Sequence, residues 1–235
     1  MISAKGIIFD YGGTIDTNGI HWAEVIWAEY QRAEADVSRE LFREAYVHGE
    51  RMLGKNRIIE PTHTFRNLLN IKIKIQFDYL VAQGATHLTT DKATEIAEGC
   101  YSQVLETLKT TCGIVERLSK NRPTVLVTNF YGNMPVVLKE FSLDKYFDTI
   151  VESSVVGIRK PDPRLFALGV EALGLPAEDI VVIGDSYRKD IAPARSLGCK
   201  AVWLKKVVWE EEPIEPEKEP SAVIDSLEQL TGIIE

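Results

Sequence analysis

Acidic and polar side chains follow apolar runs at separate points of this sequence. Asp10 ends the run "KGIIFD", Thr128 and Asn129 end "TVLVTN", and Asp185 ends "IVVIGD". If these runs are parallel strands, their carboxyl ends meet at one edge of a sheet, and the side chains converge there. Acidic groups brought together repel one another unless a cation lies among them, and oxygen ligands suit a hard ion such as Mg²⁺. The pattern therefore predicts a magnesium site at this edge.

Two further motifs add charge to the same edge. Lys160 lies in "GIRKPDPRLF", on a loop that leads into a predicted helix, and Asp190 follows Asp185 closely in "GDSYRKD". A lysine and a threonine supply the positive charge and the hydrogen-bond donor that phosphoryl oxygens need. The expected ligand is a small phosphorylated molecule.

Five short apolar runs are expected to position these groups. They are residues 5–10, 124–129, 148–153, 180–185 and 201–204. The runs are continuous rather than alternating, which is typical of strands buried on both faces of a parallel sheet. Helical patterns separate the later runs, so we expect right-handed βαβ units. The predicted fold class is α/β, a doubly wound parallel sheet.

The stretch between the first two runs has a different pattern. Apolar residues recur there at helical spacing, for example in "HWAEVIWAEY" and "TTDKATEIAEGCYSQVLETL". The segment "NIKIKIQF" (70–77) alternates like a strand, but its flanks favour a helix. The stretch is too long for a connecting loop. We predict a helical domain at 18–110, inserted into an α/β core domain made of 1–17 and 111–235.

Composition restricts the partners of this protein. Its net charge of −8 argues against nucleic acid and anionic membranes, because both require a basic face. No apolar stretch approaches the roughly 20 residues of a membrane span. The cysteines have no metal-binding spacing, which favours reduced thiols in a cytoplasmic protein. The acidic segment 209–220 is interpreted as a solvated connector, and the sequence leaves monomer and dimer open.

The four motifs, in their order, resemble those of the haloacid dehalogenase (HAD) superfamily. The resemblance rests on "FDYGGTID", "VTN", "GIRKPDPRLF" and "IGDSYRKD". The stretch "YFDTIVESSVVGIRKPDP" is especially similar to the subgroup with a helical cap between the first two motifs. This resemblance implies a Rossmann-like core, with the inserted helices closing over the site.

The resemblance also implies a role for each motif residue. The implied metal ligands are Asp10, the carbonyl of Gly12, Asp185 and Asp190, and the implied catalytic or substrate-binding residues are Asp10, Thr128, Asn129 and Lys160. Asp10 is then a nucleophile that forms an aspartyl-phosphate, which splits one difficult step into two. The implied activity is Mg²⁺-dependent hydrolysis of a small phosphorylated metabolite.

One position departs from the phosphatase pattern. Phosphatases of the superfamily usually carry a second aspartate two residues after the nucleophile, as general acid and base, and this chain has Gly12 there. A backbone carbonyl can still bind the metal, so only the proton-transfer group is lost, a deficit of roughly 10²–10⁴-fold in rate. His21 is the first candidate for a replacement acid and Asp16 the second. Alternatively, the substrate is a phosphoanhydride or acyl phosphate, whose leaving group is a weak base and requires no acid.

Two other functions stay open at this stage. Hydrolases of C–P or C–halogen bonds in the superfamily also lack the second aspartate. A C–P hydrolase needs a lysine for a Schiff base, for which Lys55 is available, and the acidic pair of the fourth motif argues against a dehalogenase. The second alternative is a non-catalytic protein that binds metal and phosphate. The retention of all four motifs argues against it.

Overall fold

A six-stranded parallel sheet forms the centre of the protein. The computed structural model describes residues 1–210 and 213–235. The strands are β1 (Gly6–Phe9), β2 (Thr124–Thr128), β3 (Thr149–Glu152), β4 (Ile180–Gly184), β5 (Lys200–Leu204) and β6 (Ala222–Ile224). Their spatial order is β3-β2-β1-β4-β5-β6. Successive strands are added on one side of β1 up to β3, and then on its other side from β4 to β6. In open α/β sheets, ligands bind at such a switch point, which here lies between β1 and β4.

Helices cover both faces of this sheet. In the described residues the α-helices are α1 (Trp22–Arg32), α2 (Arg39–Lys55), α3 (Phe65–Ala82), α4 (Thr90–Ser119), α5 (Met134–Glu140), α6 (Ser153–Val156), α7 (Arg164–Leu173), α8 (Ala192–Ser196) and α9 (Leu230–Ile233). Ile7 and Phe9 of β1 belong to one buried cluster, and Ile8 belongs to a second cluster, with Leu165 and Phe166 of α7. The strand is therefore buried on both sides, and the predicted doubly wound α/β fold is confirmed.

Four helices, α1 to α4, lie between β1 and β2, and we call them the helical insertion. Segment 70–77 is part of α3, so the helical prediction is confirmed there. The alternation of isoleucine and polar residues in this segment does not correspond to a strand. Ile73 is fully buried on one face of the helix, while Ile71 and Ile75 are partly buried at the margin of the core. Thr64 and Asn67 form a capping box that begins this helix.

The helix α4 connects the insertion to the sheet without a break. Its first half packs in the insertion, and its last turns bury Ile114, Val115 and Leu118. The predicted domain limit at residue 110 falls inside this helix and stays a prediction. No helix of the described segments, 1–210 and 213–235, has the length and apolar character needed to cross a bilayer.

The loop between β5 and β6 differs in part from its interpretation as a solvated connector. Most of its described residues are exposed, as expected, and residues 211–212 lie outside the described residues. Trp209 is partly buried, because it stacks on His21 at a centroid distance of 5.6 Å and packs against Tyr46 at 5.3 Å. The loop thus contacts the first two helices of the insertion.

Candidate active site

Lys160 joins two carboxylates at the edge of the sheet. Asp10 follows β1, and Asp190 lies in a π-helical turn after β4. The Nζ of Lys160 donates to Oδ1 of Asp10 and to Oδ1 of Asp190, both at 2.6 Å. Burial by itself lowers the pKa of Lys160, but the charges of the two aspartates outweigh it and raise that pKa above its ordinary value. The lysine is therefore a fixed positive charge beside Asp10.

Asp10, Asp185 and Asp190 form a cluster that suits a metal ion. Each offers an oxygen atom, and these oxygens lie within 4.8 Å of one another. Burial and the neighbouring Asp10 carboxylate raise the pKa of Asp185 well above its usual range. Burial likewise raises the pKa of Asp190 to about 6, against the opposing effect of Lys160. A hard divalent cation offsets this repulsion, and the all-oxygen donor set fits Mg²⁺.

Thr128 ends β2 and Asn129 follows it, and the two side chains differ in their hydrogen bonding. The Oγ1 of Thr128 is buried and has no hydrogen-bond partner in the described part of the chain. A buried hydroxyl without a partner is costly, so a ligand oxygen here would gain a donor. The amide of Asn129 is engaged with the backbone of Lys160, donating to its carbonyl at 3.2 Å and accepting from its N–H at 2.9 Å. Asn129 thus positions the lysine, and its predicted contact with substrate stays a prediction.

Gly12 has room for a side chain. A Cβ built at this position would come no closer than 3.9 Å to another residue, at Nε1 of Trp22. The next residue is different, because Gly13 has a φ of +93° and its Cβ would lie 2.3 Å from Oδ2 of Asp185. Glycine is therefore required at 13 by backbone conformation and packing, and at 12 by neither.

Asp16 is a buried carboxyl in the wall of the same pocket. Its Oδ1 accepts from the backbone N–H of Gly13 at 2.7 Å, and its Oδ2 accepts from Nε1 of Trp22 at 3.0 Å. Burial raises the pKa of Asp16 to about 7, although both hydrogen bonds oppose that shift. A carboxyl with such a pKa can hold or release a proton near neutral pH.

His21 also lines the pocket but is poorly suited to donate a proton from a charged form. It caps the first turn of α1, where its Nδ1 accepts from the N–H of Ala23 at 3.1 Å. Burial lowers the pKa of His21 to about 4, so the ring is neutral at pH 7. The prediction of His21 as the replacement acid stays a prediction, and the geometry favours Asp16.

The pocket above Asp10 has a volume of about 560 Å³ and is walled by both the core and the helical insertion. The insertion contributes apolar side chains, such as Trp22 and Phe65, and a charged pair, Glu50 and Lys72. This pair was not predicted from the sequence. A lysine at position 72, one turn after Leu68 on the apolar face of a helix, was the available signal. The lysine weighed from the sequence, Lys55, is exposed and lies outside the pocket wall.

A family model of haloacid dehalogenase-like hydrolases matches residues 4–198, and the chain belongs to that family. The predicted superfamily is thereby confirmed, as is the prediction of a hydrolase.

Several curated relatives of this chain are named phosphatases. A phosphoserine phosphatase of Thermus thermophilus is 35% identical over 88 residues, which is 37% of this chain and 34% of that enzyme. The match thus spans about a third of that relative. A phosphoglycolate phosphatase of Pectobacterium atrosepticum is 26% identical over 100% of this chain and 94% of its own length. Among solved structures, a dehalogenase in an intermediate complex has a TM-score of 0.64 at 16% identity, covering 100% of this chain and 98% of that one, a likeness of fold.

Proposed function

We propose that this protein hydrolyses small phosphomonoesters in the presence of Mg²⁺, through an aspartyl-phosphate at Asp10. One observation carries the proposal: Lys160 lies 2.6 Å from Asp10, at the same strand edge as the Thr128 hydroxyl, which has no hydrogen-bond partner among the described residues. A phosphoryl group between them would meet a nucleophile, a fixed cation and a free donor. The names of the phosphoserine and phosphoglycolate phosphatase relatives support this class of substrate.

The nucleophile is oriented at both of its oxygens. Lys160 donates to Oδ1 of Asp10, and Oγ1 of Thr14 donates to Oδ2 at 3.0 Å. These contacts fix the carboxylate, so less ordering is needed for in-line attack on phosphorus. Asp10, Asp185 and Asp190 are the side chains that would hold Mg²⁺, together with the carbonyl of Gly12. When bound, the ion would neutralise charge on the phosphoryl oxygens.

The proton for the leaving group is assigned to Asp16. As Asp10 attacks phosphorus and the ester P–O bond breaks, protonated Asp16 gives its proton to the departing oxygen. The resulting carboxylate then accepts a proton from the water that attacks the aspartyl-phosphate, which releases phosphate and free Asp10. Support comes from the pKa of Asp16, raised to about 7 by burial, and from its bond to Trp22, the nearest neighbour of the Gly12 Cβ position.

The state of Lys72, the lysine that the helical insertion contributes to the pocket, argues against a C–P hydrolase. Burial lowers the pKa of Lys72, but the charge of Glu50 outweighs this and raises it above the ordinary value. A Schiff base needs a neutral amine, which this pairing disfavours. The dehalogenase alternative has no use for a three-carboxylate cluster, because those enzymes do not need the metal.

Steady-state hydrolysis tests the proposal. The protein is assayed with Mg²⁺ or with a chelator against p-nitrophenyl phosphate, acetyl phosphate and a series of sugar phosphates. We expect turnover that requires Mg²⁺ and is abolished in D10N, while D78N, at an exposed aspartate paired with Lys74, stays active. Binding of Mg²⁺ and phosphate without turnover of any substrate would favour a non-catalytic binding protein instead.

A further inference from the structure

An ion pair of the helical insertion opens on the active-site pocket. The Nζ of Lys72 in α3 lies 2.7 Å from Oε1 of Glu50 in α2, and their side chains are 7% and 31% exposed. Tyr131, from the loop after β2, donates its hydroxyl to Oε2 of Glu50 at 3.3 Å. All three residues line the pocket that contains Asp10. The pair therefore faces the space that the leaving group of a substrate would occupy.

Stability alone does not explain this pair. Removing two charges from water carries a large desolvation cost, and well-packed apolar residues often hold two helices equally well. The surroundings offer apolar packing, because the rings of Trp22 and Tyr131 lie 5.9 and 5.6 Å from the Nζ of Lys72. A ligand that uses both charges would account for them.

We propose that Glu50 and Lys72 bind the leaving group of the substrate, and that this group is the zwitterion of an α-amino acid. Its ammonium would pair with Glu50 and its carboxylate with Lys72. The inference rests on the proposed phosphohydrolase function and names the substrate class for it.

The charge balance of the pair supports a zwitterion over a singly charged group. A lone anion attracted by Lys72 is repelled by Glu50 at nearly the same distance, and a lone cation meets the reverse problem. A group with both charges gains from both side chains. Lys72 has three N–H donors and the Glu50 carboxylate accepts at several lone pairs, so each keeps capacity beyond their mutual contact. The cations Arg159, Arg188 and Lys189 also border the pocket, but they are exposed to solvent and more strongly screened.

Four substrates separate the charges that the pair is proposed to recognise. O-phosphoserine carries both charges, phosphoglycolate only the carboxylate, O-phosphoethanolamine only the ammonium, and p-nitrophenyl phosphate neither. We expect kcat/KM to be highest for O-phosphoserine among the three alkyl esters. E50Q should lower kcat/KM roughly 10- to 100-fold for O-phosphoserine and O-phosphoethanolamine, the substrates with an ammonium. K72M should lower kcat/KM by a similar factor for O-phosphoserine and phosphoglycolate, the substrates with a carboxylate. In both variants the loss on p-nitrophenyl phosphate should be smaller, so that kcat/KM for O-phosphoserine relative to p-nitrophenyl phosphate falls at least about tenfold, because lost contacts to the leaving group affect only substrates that make them.

Matched controls lie on the same two helices. Glu44 of α2 accepts from the hydroxyl of Tyr79 at 3.0 Å, and Lys74 of α3 pairs with Asp78 at 2.6 Å, both away from the pocket. E44Q and K74M should have wild-type selectivity. Equal losses on all four substrates in E50Q and K72M, or a wild type with no preference for O-phosphoserine, would overturn the inference.

Calorimetric binding to the D10N variant with Mg²⁺ gives a second measurement that needs no turnover. O-phosphoserine should bind at least about tenfold more tightly than phosphoglycolate or O-phosphoethanolamine. In the D10N background, E50Q should remove its advantage over phosphoglycolate, and K72M should remove its advantage over O-phosphoethanolamine. Turnover of p-nitrophenyl phosphate with no discrimination in either experiment refutes the inference and leaves the proposed function intact. Discrimination in binding with no turnover of any substrate refutes the proposed function and leaves the binding specificity intact.

Discussion

Trp22 links Asp16 to the open position beside the nucleophile. Its Nε1 donates to Oδ2 of Asp16 at 3.0 Å, and the same nitrogen is the nearest atom, at 3.9 Å, to a Cβ built on Gly12. The carboxyl of Asp16 therefore bonds the same ring nitrogen that lies nearest the space left open at Gly12. The chain retains a carboxyl near that space although residue 12 has no side chain.

The first prediction concerns Asp16 as the acid. D16N should lower kcat on unactivated phosphomonoesters by roughly 10²–10⁴-fold and change kcat on acetyl phosphate only a few-fold, since that leaving group needs no acid. Because the protonated carboxyl is the active form in the first step, wild-type kcat for unactivated esters should fall as pH rises above about 7, the pKa of Asp16. Rates measured from pH 5 to 9 should show no such decline in D16N. If D16N keeps the wild-type profile and H21A loses activity, His21 is the acid.

The second prediction compares two adjacent glycines. G12D should fold normally, because among residues other than its chain neighbours the Cβ meets only Trp22 at 3.9 Å, and in the D16N background it should raise kcat on sugar phosphates at least about tenfold by restoring a proton donor. G13A is the matched contrast, because its Cβ would lie 2.3 Å from Asp185 at a φ of +93°, and it should lower the melting temperature and abolish activity. Thermal melts and steady-state kinetics measure both. A D16N variant that folds with G12D added but gains nothing on sugar phosphates would mean that the acid lost in D16N does not limit the rate.

The third prediction concerns Lys160. K160M leaves Asp10 and Asp190 buried without their cation, which in other buried pairs costs about 3–5 kcal/mol. The variant should lose that much stability in chemical denaturation without Mg²⁺, along with all activity. K109M removes an exposed lysine paired with Glu106 and should change the stability by less than about 1 kcal/mol. Equal stability of K160M and the wild type would show that the two carboxylates do not need this cation.

The fourth prediction concerns metal binding. Mg²⁺ should raise the melting temperature of the wild type, since a ligand that binds only the folded state stabilises it. The shift should nearly vanish in D185N and persist in D179N, whose aspartate pairs with exposed Lys5 at 2.8 Å. Differential scanning fluorimetry at increasing Mg²⁺ measures this. A full shift in D185N would place the ion elsewhere.

The fifth prediction concerns Trp209. Its ring lies 4.0 Å below the guanidinium of Arg43 and stacks on His21, so it links the loop after β5 to α1 and α2. W209A should raise KM and increase amide hydrogen exchange at the start of α1, with a cost of about 1 kcal/mol from the lost cation–π contact. W27A, in the neighbouring contact with Phe42, is a control inside the insertion and should not raise exchange in the loop. Unchanged exchange in W209A would mean that the loop does not restrain the insertion.

The sequence predicted the residues whose positions follow from the ends of strands. Asp10, Thr128 and Asp185 were found because parallel strands bring their carboxyl ends to one edge, whatever the details of packing. Lys72 and Glu50 were missed, because their pairing depends on how two helices pack across 22 residues of sequence separation. The sequence favours His21 over Asp16 as the acid because residue type and position do not reveal burial. Burial raises the pKa of Asp16 to about 7, near neutral pH, and lowers the pKa of His21 to about 4, away from it.

The unbroken helix α4 also determines how any motion of the insertion is amplified. Its Thr111 hydroxyl donates to the carbonyl of Ile15 at 2.9 Å, which anchors the helix beside β1, and its first residue is Thr90. At a rise of about 1.5 Å per residue, the arm between these points is about 30 Å long. If the arm moves as a rigid body, a rotation of roughly 5° at the anchor displaces its far end by roughly 3 Å. A displacement of several ångströms at the outer end of the insertion thus needs only a few degrees of rotation near Ile15.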